Sequence, residues 1–314
     1  MEIFLNKGNI LVFFLEKNTE KNFNISLRNI NVIGIDIKAF TLKNTKANYT
    51  LGVLMTRSEF TLDTFQSMLK PETKTFFSII EYVSEVTSTN DYLLNKATSS
   101  QHNSICFAGK QTHGRGQRGN EWVSNDSDLT FSLLWRTNRE MNALAGCSLI
   151  IAIAIAESLN YEFPQCDFKV KWPNDIMLNN KKVAGILIET TRIKDVNNVV
   201  IGIGINLEND ERKQSLHKSC TVIPNANSAH QRQQIAASII NSVRLTILRF
   251  EIEGLKSFQS HWDQLDVFHQ QSIIVNTHRG QIKGLNKGIN EKGELTVELP
   301  TLEYEYIHSG QIQL

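Results

Sequence analysis

The chain has 314 residues, enough for two or three domains and a sizeable core. Lys+Arg 33 against Asp+Glu 32 leaves a net charge of +1, so charge alone makes no case for nucleic acid or an anionic membrane as a partner. Apolar content of 41% and charged content of 21% describe an ordinary soluble globular protein. Cys106, Cys147, Cys166 and Cys220 form no C-x-x-C pair and have no histidine at metal-ligand spacing, so they read as buried, reduced thiols of a cytosolic protein. The longest apolar stretch, Ala143 to Ala156, is too short and too rich in alanine to span a bilayer. Ile10 to Leu15 follows a start carrying Glu2, unlike a secretory signal, and the chain is read as cytoplasmic with no membrane partner.

In chain order, residues 1–59 are the least legible. Ile10, Leu11, Phe13 and Phe14 suit one helix face or one strand, and 24–56 reads as strand nearly as well as helix. Leu51 to Leu62 alternates like a small hairpin. Residues 62–78, with Pro71 and many polar side chains, look like a linker into a new domain. Ser88, followed three residues later by Asp91, starts a helix with a pattern close to a capping box, and Tyr92-Leu93-Leu94 supplies its apolar face. Small hydroxyls and an amide at that terminus would equally suit a polar ring bearing carbonyl and N–H groups.

Ile105 to Ala108 reads as a short strand, and Gly114, Gly116 and Gly119 after it match G-x-G-x-x-G. A dinucleotide fold would next require an apolar helix, then an acidic residue about 20 residues on. The glycines run instead into Asn120-Glu121-Trp122 and the apolar strand Leu129 to Trp135, so that reading fails. What remains is a glycine loop carrying Arg115 and Arg118. It is either a surface connector or a loop that closes over an anion with N–H donors and guanidinium forks.

Glu140 to Leu159 is a largely apolar, hence buried, helix. In Phe168 to Glu189 two apolar-rich runs flank Asn179-Asn180, a pair suited to a tight hairpin turn. Lys169, Lys171, Lys181 and Lys182 cluster there. Lys182 sits where a solvated edge meets the nearly uncharged run Val183 to Ile188, and can point its ammonium into a half-buried pocket. Asn174-Asp175, after Pro173, projects an amide and a carboxylate from a rigid turn, a common way to hold a metal ion near phosphate. Solvated lysines beside an ordinary turn would give the same pattern. Asn198 to Leu207 is a core strand whose Gly202 and Gly204 mean either close packing or the floor of a pocket for a flat ring. Ile235, Ile239, Val243, Ile247 and Phe250 mark a long amphipathic helix stopped at Gly254, and Leu255, Phe258, Trp262 and Leu265 a second. From Gln271 the short strands Ile273 to Val275, Gln281 to Leu285, Leu295 to Leu299 and Tyr304 to Ile307 read as a small β-barrel module.

Five ordered motifs carry a resemblance: Ser88-Thr89-Asn90, the Gly114 to Gly119 loop with Trp122, Lys171-Trp-Pro-Asn-Asp175, Lys181 to Glu189, and Gly202 to Asn206. Together they resemble the biotin–protein ligase family, from about Ser84 to the C-terminus. The resemblance implies an α+β chain with a mixed-sheet, class II synthetase-like catalytic domain at 79–268 and a C-terminal SH3-like barrel at 269–314. A linker at 63–78 would separate these from a small N-terminal domain at 1–62, with a diverged winged helix as its candidate fold.

The resemblance also implies roles. Ser88, Thr89, Asn90 and Gln111 would hydrogen-bond biotin, with Gly185, Gly202 and Gly204 beside it. Arg115 and Arg118 would lie in a loop that orders over biotin and the adenylate. Lys182 would contact the reacting carboxylate and the α-phosphate and, with Arg115, would be catalytic. Arg118, Trp122, Asn174, Asp175, Lys182 and Asn206 would line the ATP side, Asp175 holding Mg²⁺. The implied activity is ATP-dependent attachment of biotin, through biotinyl-5′-AMP, to a lysine of a biotin carboxyl carrier domain. A homodimer is compatible with it.

Two rivals stand beside this expectation. A lipoate ligase or octanoyltransferase on the same fold resembles a different signature, arginines before a Ser-Gly-Gly-Gly run, which is absent here. A biotinyl-AMP-responsive repressor would need a helix-turn-helix with a basic recognition helix. Residues 1–62 match a winged helix in length, with 50–62 as its wing, but Lys38, Lys43 and Lys46 are sparse. Gly34 and the β-branched run Ile30 to Ile37 also oppose a helix. Within the glycine loop, Gln117 stands where many relatives carry a third arginine.

Overall fold

The computed structural model describes the backbone of residues 2–6, 9–15, 30–32, 35–41 and 50–57, and describes 60–99, 102–208, 220–226 and 228–313 with their side chains. The chain divides into two compact units, Met1–Thr61 with Ser228–Gln233, and Leu62–Asn227 with Gln234–Leu314.

In the first unit, β1 (Glu2–Asn6), β2 (Asn9–Leu15), β3 (Ile30–Val32), β4 (Ile35–Thr41) and β5 (Thr50–Arg57) form an antiparallel sheet in the order β1-β2-β5-β4-β3. The winged-helix expectation for 1–62 falls in good part on residues 16–29 and 42–49, which lie outside the described residues. Among the described residues no helix precedes Leu62. Of the β-branched run, 30–32 lie in β3 and 35–37 in β4, in keeping with the preference of such residues for strands. The stretch expected as a hairpin wing is a single strand, β5, at the centre of the sheet between β2 and β4. Lys43, Lys46 and residues 58–59 lie outside the described residues.

The second unit begins with a further correction. The stretch read as a linker folds as two helices, α1 (Leu62–Met68) and α2 (Pro71–Phe76). Pro71 opens α2, where a missing N–H costs nothing. Phe65, Leu69 and Phe77 are buried, and Phe65 meets Phe107 edge-on with ring centroids 4.7 Å apart. The apolar residues are few and spaced for burial on helices, so a polar average hid them.

There follow β6 (Ile79–Val86), α3 (Thr89–Ala97), β7 (Ser104–Gln111), β8 (Leu129–Thr137), α4 (Cys147–Glu162), β9 (Phe168–Lys171), β10 (Asp175–Leu178), β11 (Lys181–Ile193) and β12 (Val196–Ile205). The strands make one mixed sheet in the order β6-β7-β8-β12-β11-β10-β9, with β6 and β7 parallel and every other neighbour antiparallel. Leu93 and Ala97 of α3 pack on Cys106, Leu134 and Val200. The stretch Met141–Glu162, which ends in α4, is long and apolar enough to cross a membrane, yet 67% of its most apolar window is buried inside the protein. Leu149 to Ala156 is wholly buried, which explains apolar character all round the helix.

α5 (Ala229–Glu253) ends at Gly254, whose φ of 69° only glycine adopts freely. A 3₁₀ turn at Leu255–Phe258 and α6 (Gln259–Leu265) lead to β13 (Ser272–Thr277), β14 (Gly280–Ile289), β15 (Leu295–Glu298), β16 (Tyr304–Ile307) and β17 (Gln311–Ile312). These form an antiparallel sheet in the order β16-β15-β14-β13-β17, the expected C-terminal β module. Its joint with the larger sheet is polar. Asp266, its carboxyl pushed up by burial, accepts from Asn286 Nδ2 at 2.7 Å and from Phe268 N at 3.0 Å.

Candidate active site

Asn179 and Asn180 have φ of 51° and 59°, as a two-residue hairpin turn needs and as asparagine tolerates. Leu178 therefore pairs with Lys181, and a bulge between Ile176 and Met177 sets Met177 against Lys182 and Asp175 against Gly185. Lys182 reaches diagonally, and its Nζ lies 2.6 Å from Asp175 Oδ1 and 5.7 Å from the Trp122 ring centroid. On the other flank Asp175 pairs with Lys171 of β9. Three neighbouring strands thus carry a cation, an anion and a cation side by side. Lys171 is 5% exposed and has no hydrogen bond or ion pair among the described residues. Burial pulls its pKa down; Asp175 opposes this and Lys182 adds to it.

The N-terminus of α3, the end of β7 and the middle of β11 and β12 enclose a cavity of about 50 Å³. It brings together Ser88, Thr89, Asn90 and Gln111 with Gly185, Gly202 and Gly204, as the sequence leads one to expect. Arg115, Gln117, Trp122, Asn174 and Lys182 complete its wall. Thr89 donates from N at 2.8 Å and from Oγ1 at 3.2 Å to Gln111 Oε1. Ser132 Oγ, wholly buried, lies 2.6 Å from both Thr89 Oγ1 and Asn90 Oδ1. Asn90 Nδ2 donates to Glu189 Oε2 at 2.8 Å and to Leu187 O at 3.3 Å. The Asn90 amide is therefore spent on the protein itself, and it props the site instead of presenting free donors to it.

Two readings left open by the sequence resolve here. A Cβ on Gly202 would sit 2.4 Å from Asn90 Oδ1, and one on Gly204 would sit 2.3 Å from Trp122 Cε2. Close packing by a site residue dictates both glycines. Ser88 holds the N-cap position of α3, but its hydroxyl makes no capping bond. The expected capping box is absent because Asp91 turns instead to Arg115.

The glycine loop is a small hairpin, with Trp122 N donating to Gly114 O at 2.9 Å and Gly116 N to Asn120 O at 2.7 Å. A Cβ on Gly114 would meet Trp122 O at 2.3 Å, so this crossing needs glycine. No helix follows the glycines, as the sequence argument requires. Arg115 grips Glu189 with both nitrogens, at 2.9 and 2.7 Å, and Asp91 at 2.5 Å. Arg118 does not reach over the small cavity. Its guanidinium donates to Gly310 O at 2.5 Å and to Ser309 Oγ at 3.3 Å in the C-terminal module.

A second cavity, of about 310 Å³, opens beyond Lys182. Arg118, Trp122, Asn174, Asp175, Lys182 and Asn206, all expected on a nucleotide side, line it together with Lys171. Trp122 Nε1 is buried with no hydrogen-bond partner among the described residues, although the indole rests on Gly204. Asn174 is pinned, its Nδ2 donating to Ile186 O at 2.6 Å while its O accepts from Ile186 N at 3.1 Å. Among the described residues no group of three or more His, Cys, Asp or Glu could hold a metal. Asp175 with phosphate oxygens would nonetheless suit Mg²⁺, which keeps water and takes one or two carboxylates beside a substrate phosphate.

Sequence reasoning did not assign Ser132, Lys171 or Glu189. Ser132 had a weak signal, one hydroxyl inside the apolar run Phe131 to Trp135. Lys171 stood within the lysine cluster but looked like one solvated cation among four.

Residues 82–206 match the Biotin/lipoate A/B protein ligase family. The "Bifunctional ligase/repressor BirA" of Escherichia coli (strain K12) is 34% identical over 216 residues, 68% of this chain and 67% of that protein. The "Biotin--[acetyl-CoA-carboxylase] ligase" of Paracoccus denitrificans is 26% identical over 219 residues, 68% of this chain and 91% of that one. Among solved structures, a biotin protein ligase from Aquifex aeolicus in complex with biotin and ATP superposes with a TM-score of 0.65. It is 26% identical, and the match covers 76% of this chain and 98% of that one.

Proposed function

The chain belongs to the Biotin/lipoate A/B protein ligase family, and from that premise we propose that its site joins biotin to a protein lysine at the expense of ATP. One observation carries the reading: Lys182 stands in the wall of both cavities, so a single ammonium borders a small pocket of mostly neutral polar groups and glycines and a larger pocket that also holds Lys171 and Arg118.

A carboxylate oxygen of biotin attacks the α-phosphorus of ATP. The bond from that phosphorus to its bridging oxygen breaks, and pyrophosphate leaves. Two anions must approach, and Lys182 offsets their repulsion by exchanging Asp175 for the substrate oxygens. Lys171, which has no hydrogen bond or ion pair among the described residues and lines the larger cavity, takes the phosphate tail. When Mg²⁺ is bound, Asp175 and phosphate oxygens would hold it, and it would offset phosphate charge there. The mixed anhydride is shielded from water by the glycine loop. An unprotonated lysine amine of the acceptor then attacks the acyl carbon, the bond to AMP breaks and an amide forms.

The acceptor in this reading is a biotin carboxyl carrier domain of a carboxylase, by analogy with the Paracoccus relative's name. Four cysteines that form no disulfide suit a reducing compartment, and we place the enzyme in the cytoplasm. Repression is part of the E. coli relative's name, and the two cavities that meet at Lys182 support the ligase half of that name. Incubating the protein with ATP, Mg²⁺, a carrier domain and either biotin or lipoate, then weighing the carrier, tests it. A gain of one biotinyl group is expected, and a gain from lipoate alone would overturn the assignment.

A further inference from the structure

We propose that Glu189 and Asp91 are positioning residues that fasten the glycine loop through Arg115, whose side chain acts as an anchor and not as a cation offered to substrate. The inference rests on the ligase reading above for its kinetic consequences, but its geometry stands apart from that reading.

The charge count decides the role of Arg115. One guanidinium lies between two carboxylates, so the triad carries a formal charge of −1 if all three are ionised. Both terminal nitrogens are engaged, one of them twice. A substrate carboxylate arriving there would meet net negative charge unless it first broke charge-assisted contacts. Lys182, held by one carboxylate, is far easier to recruit.

The anchor also has a fixed end. Glu189 Oε2 accepts from Asn90 Nδ2 at 2.8 Å, and Asn90 in turn is held by Ser132. The bidentate fork joins this buried chain to the loop hairpin, and the same hairpin delivers the Trp122 indole to Gly204 between the two cavities. Glu189 thus sets where the loop sits over the site. Asp91, on α3, adds a second point of attachment and fixes the guanidinium plane. All three side chains are partly exposed, at 40%, 42% and 25% for Arg115, Asp91 and Glu189, so the clamp can open without unfolding the site.

The test uses the full-length chain and its Asp91→Asn, Glu189→Gln and Glu189→Asp variants. It reads biotin KM and kcat in biotin-dependent pyrophosphate exchange, the dissociation rate of biotinyl-AMP, and the melting temperature. Weakening these part-exposed, charge-assisted contacts, three at Glu189 and one at Asp91, should raise KM and the dissociation rate about tenfold in Glu189→Gln and about threefold in Asp91→Asn. kcat should stay within about twofold, and Glu189→Asp should recover part of the loss. Glu189→Gln combined with Arg115→Gln should be no worse than Glu189→Gln alone. Unchanged KM and dissociation rate in both Asp91→Asn and Glu189→Gln would overturn the clamp, as would a fall in kcat at constant KM. If Glu189→Gln does not fold, Asp91→Asn carries the test, because Asp91 touches Arg115 from an exposed position. Wild-type protein without biotin-dependent exchange would sink the ligase reading alone. The clamp would then be read from tryptic cleavage after Arg115 or Arg118, expected to be about tenfold faster in Glu189→Gln and unchanged if the clamp is wrong.

Discussion

Around the small cavity the hydrogen-bonding groups are already committed to one another, Thr89 to Gln111, Ser132 to Thr89 and Asn90, Asn90 to Glu189. Around the large cavity the charged groups are not. Lys171 has no hydrogen bond or ion pair among the described residues, and Asp175 holds only one of its two neighbouring lysines at contact distance, while Trp122, whose Nε1 has no partner among the described residues, lines both cavities. The difference matches what each side is asked to hold. A neutral ring contributes little electrostatic energy, so its pocket must be rigid before the ring arrives, or ordering would consume the gain. A polyphosphate brings its own charge, and cations kept without partners gain most when that charge enters. Lys182 serves both sides because it belongs wholly to neither.

Removing Lys182 should break the comparison most completely. Lys182→Ala is expected to cost about 3 kcal/mol or more in transition-state stabilisation, so biotin-dependent pyrophosphate exchange should collapse by at least about a hundredfold. Calorimetric binding of biotin alone and of ATP alone should persist, since each cavity keeps its other walls. Near-normal exchange would remove Lys182 from the chemistry.

A methyl group at Gly202 attacks the small side alone. Gly202→Ala would drive a Cβ to 2.4 Å from Asn90 Oδ1, displacing the amide that links Ser132 to Glu189. Overpacking of this kind costs about 1–3 kcal/mol. Biotin KM should rise about tenfold or more while ATP KM stays near wild type, and equal losses in both would mean that the cavities are not separable.

Lys171→Met tests the large side. ATP KM is expected to rise about tenfold, with biotin affinity unchanged. The same variant has a stability signature. Folding lowers the Lys171 pKa below 10.5, its ordinary value. Between the lowered pKa and 10.5 the unfolded chain binds the extra proton, so wild-type stability should rise with pH through that window. Below it the buried ammonium is a constant penalty. Lys171→Met should therefore melt higher than wild type at neutral pH, and the gap should narrow as pH approaches the alkaline window. A gap that is independent of pH would show that burial does not govern this lysine.

The smallest effect belongs to Gln117, which lines both cavities at the loop tip. Gln117→Arg adds one part-exposed cation, worth about 0.2–1 kcal/mol. Dissociation of biotinyl-AMP should slow a few-fold with carrier labelling nearly unchanged, measured by chasing labelled adenylate. A faster or identical rate would place the side chain in solvent.

Legibility in the sequence followed the range of the interaction concerned. The Asn179-Asn180 turn, the stop at Gly254 and the failure of the dinucleotide motif after Gly119 all depend on a few adjacent residues, and all could be read directly. The clustering of Ser88, Thr89 and Gln111 with Gly202 and Gly204 was reached only through five motifs taken together. Residues 62–78 misled because the three buried apolar positions Phe65, Leu69 and Phe77 are diluted by polar neighbours, although their spacing suits helices. Glu189 and Asp91 stayed silent because a carboxylate on a strand and one on a helix acquire meaning only when Arg115 arrives from a loop between them in sequence. At 30–32 and 35–37 the β-branched content prevailed, and both segments are strands.

The central claim is that a biotin carboxylate oxygen attacks the α-phosphorus across Lys182, and heavy-oxygen labelling of that carboxylate tests it most directly. After one round of carrier modification with labelled biotin, ATP and Mg²⁺, one heavy oxygen should appear in the phosphate of AMP and none in pyrophosphate. Label retained wholly in the carrier amide and unreacted biotin, or recovered in pyrophosphate, would contradict the account.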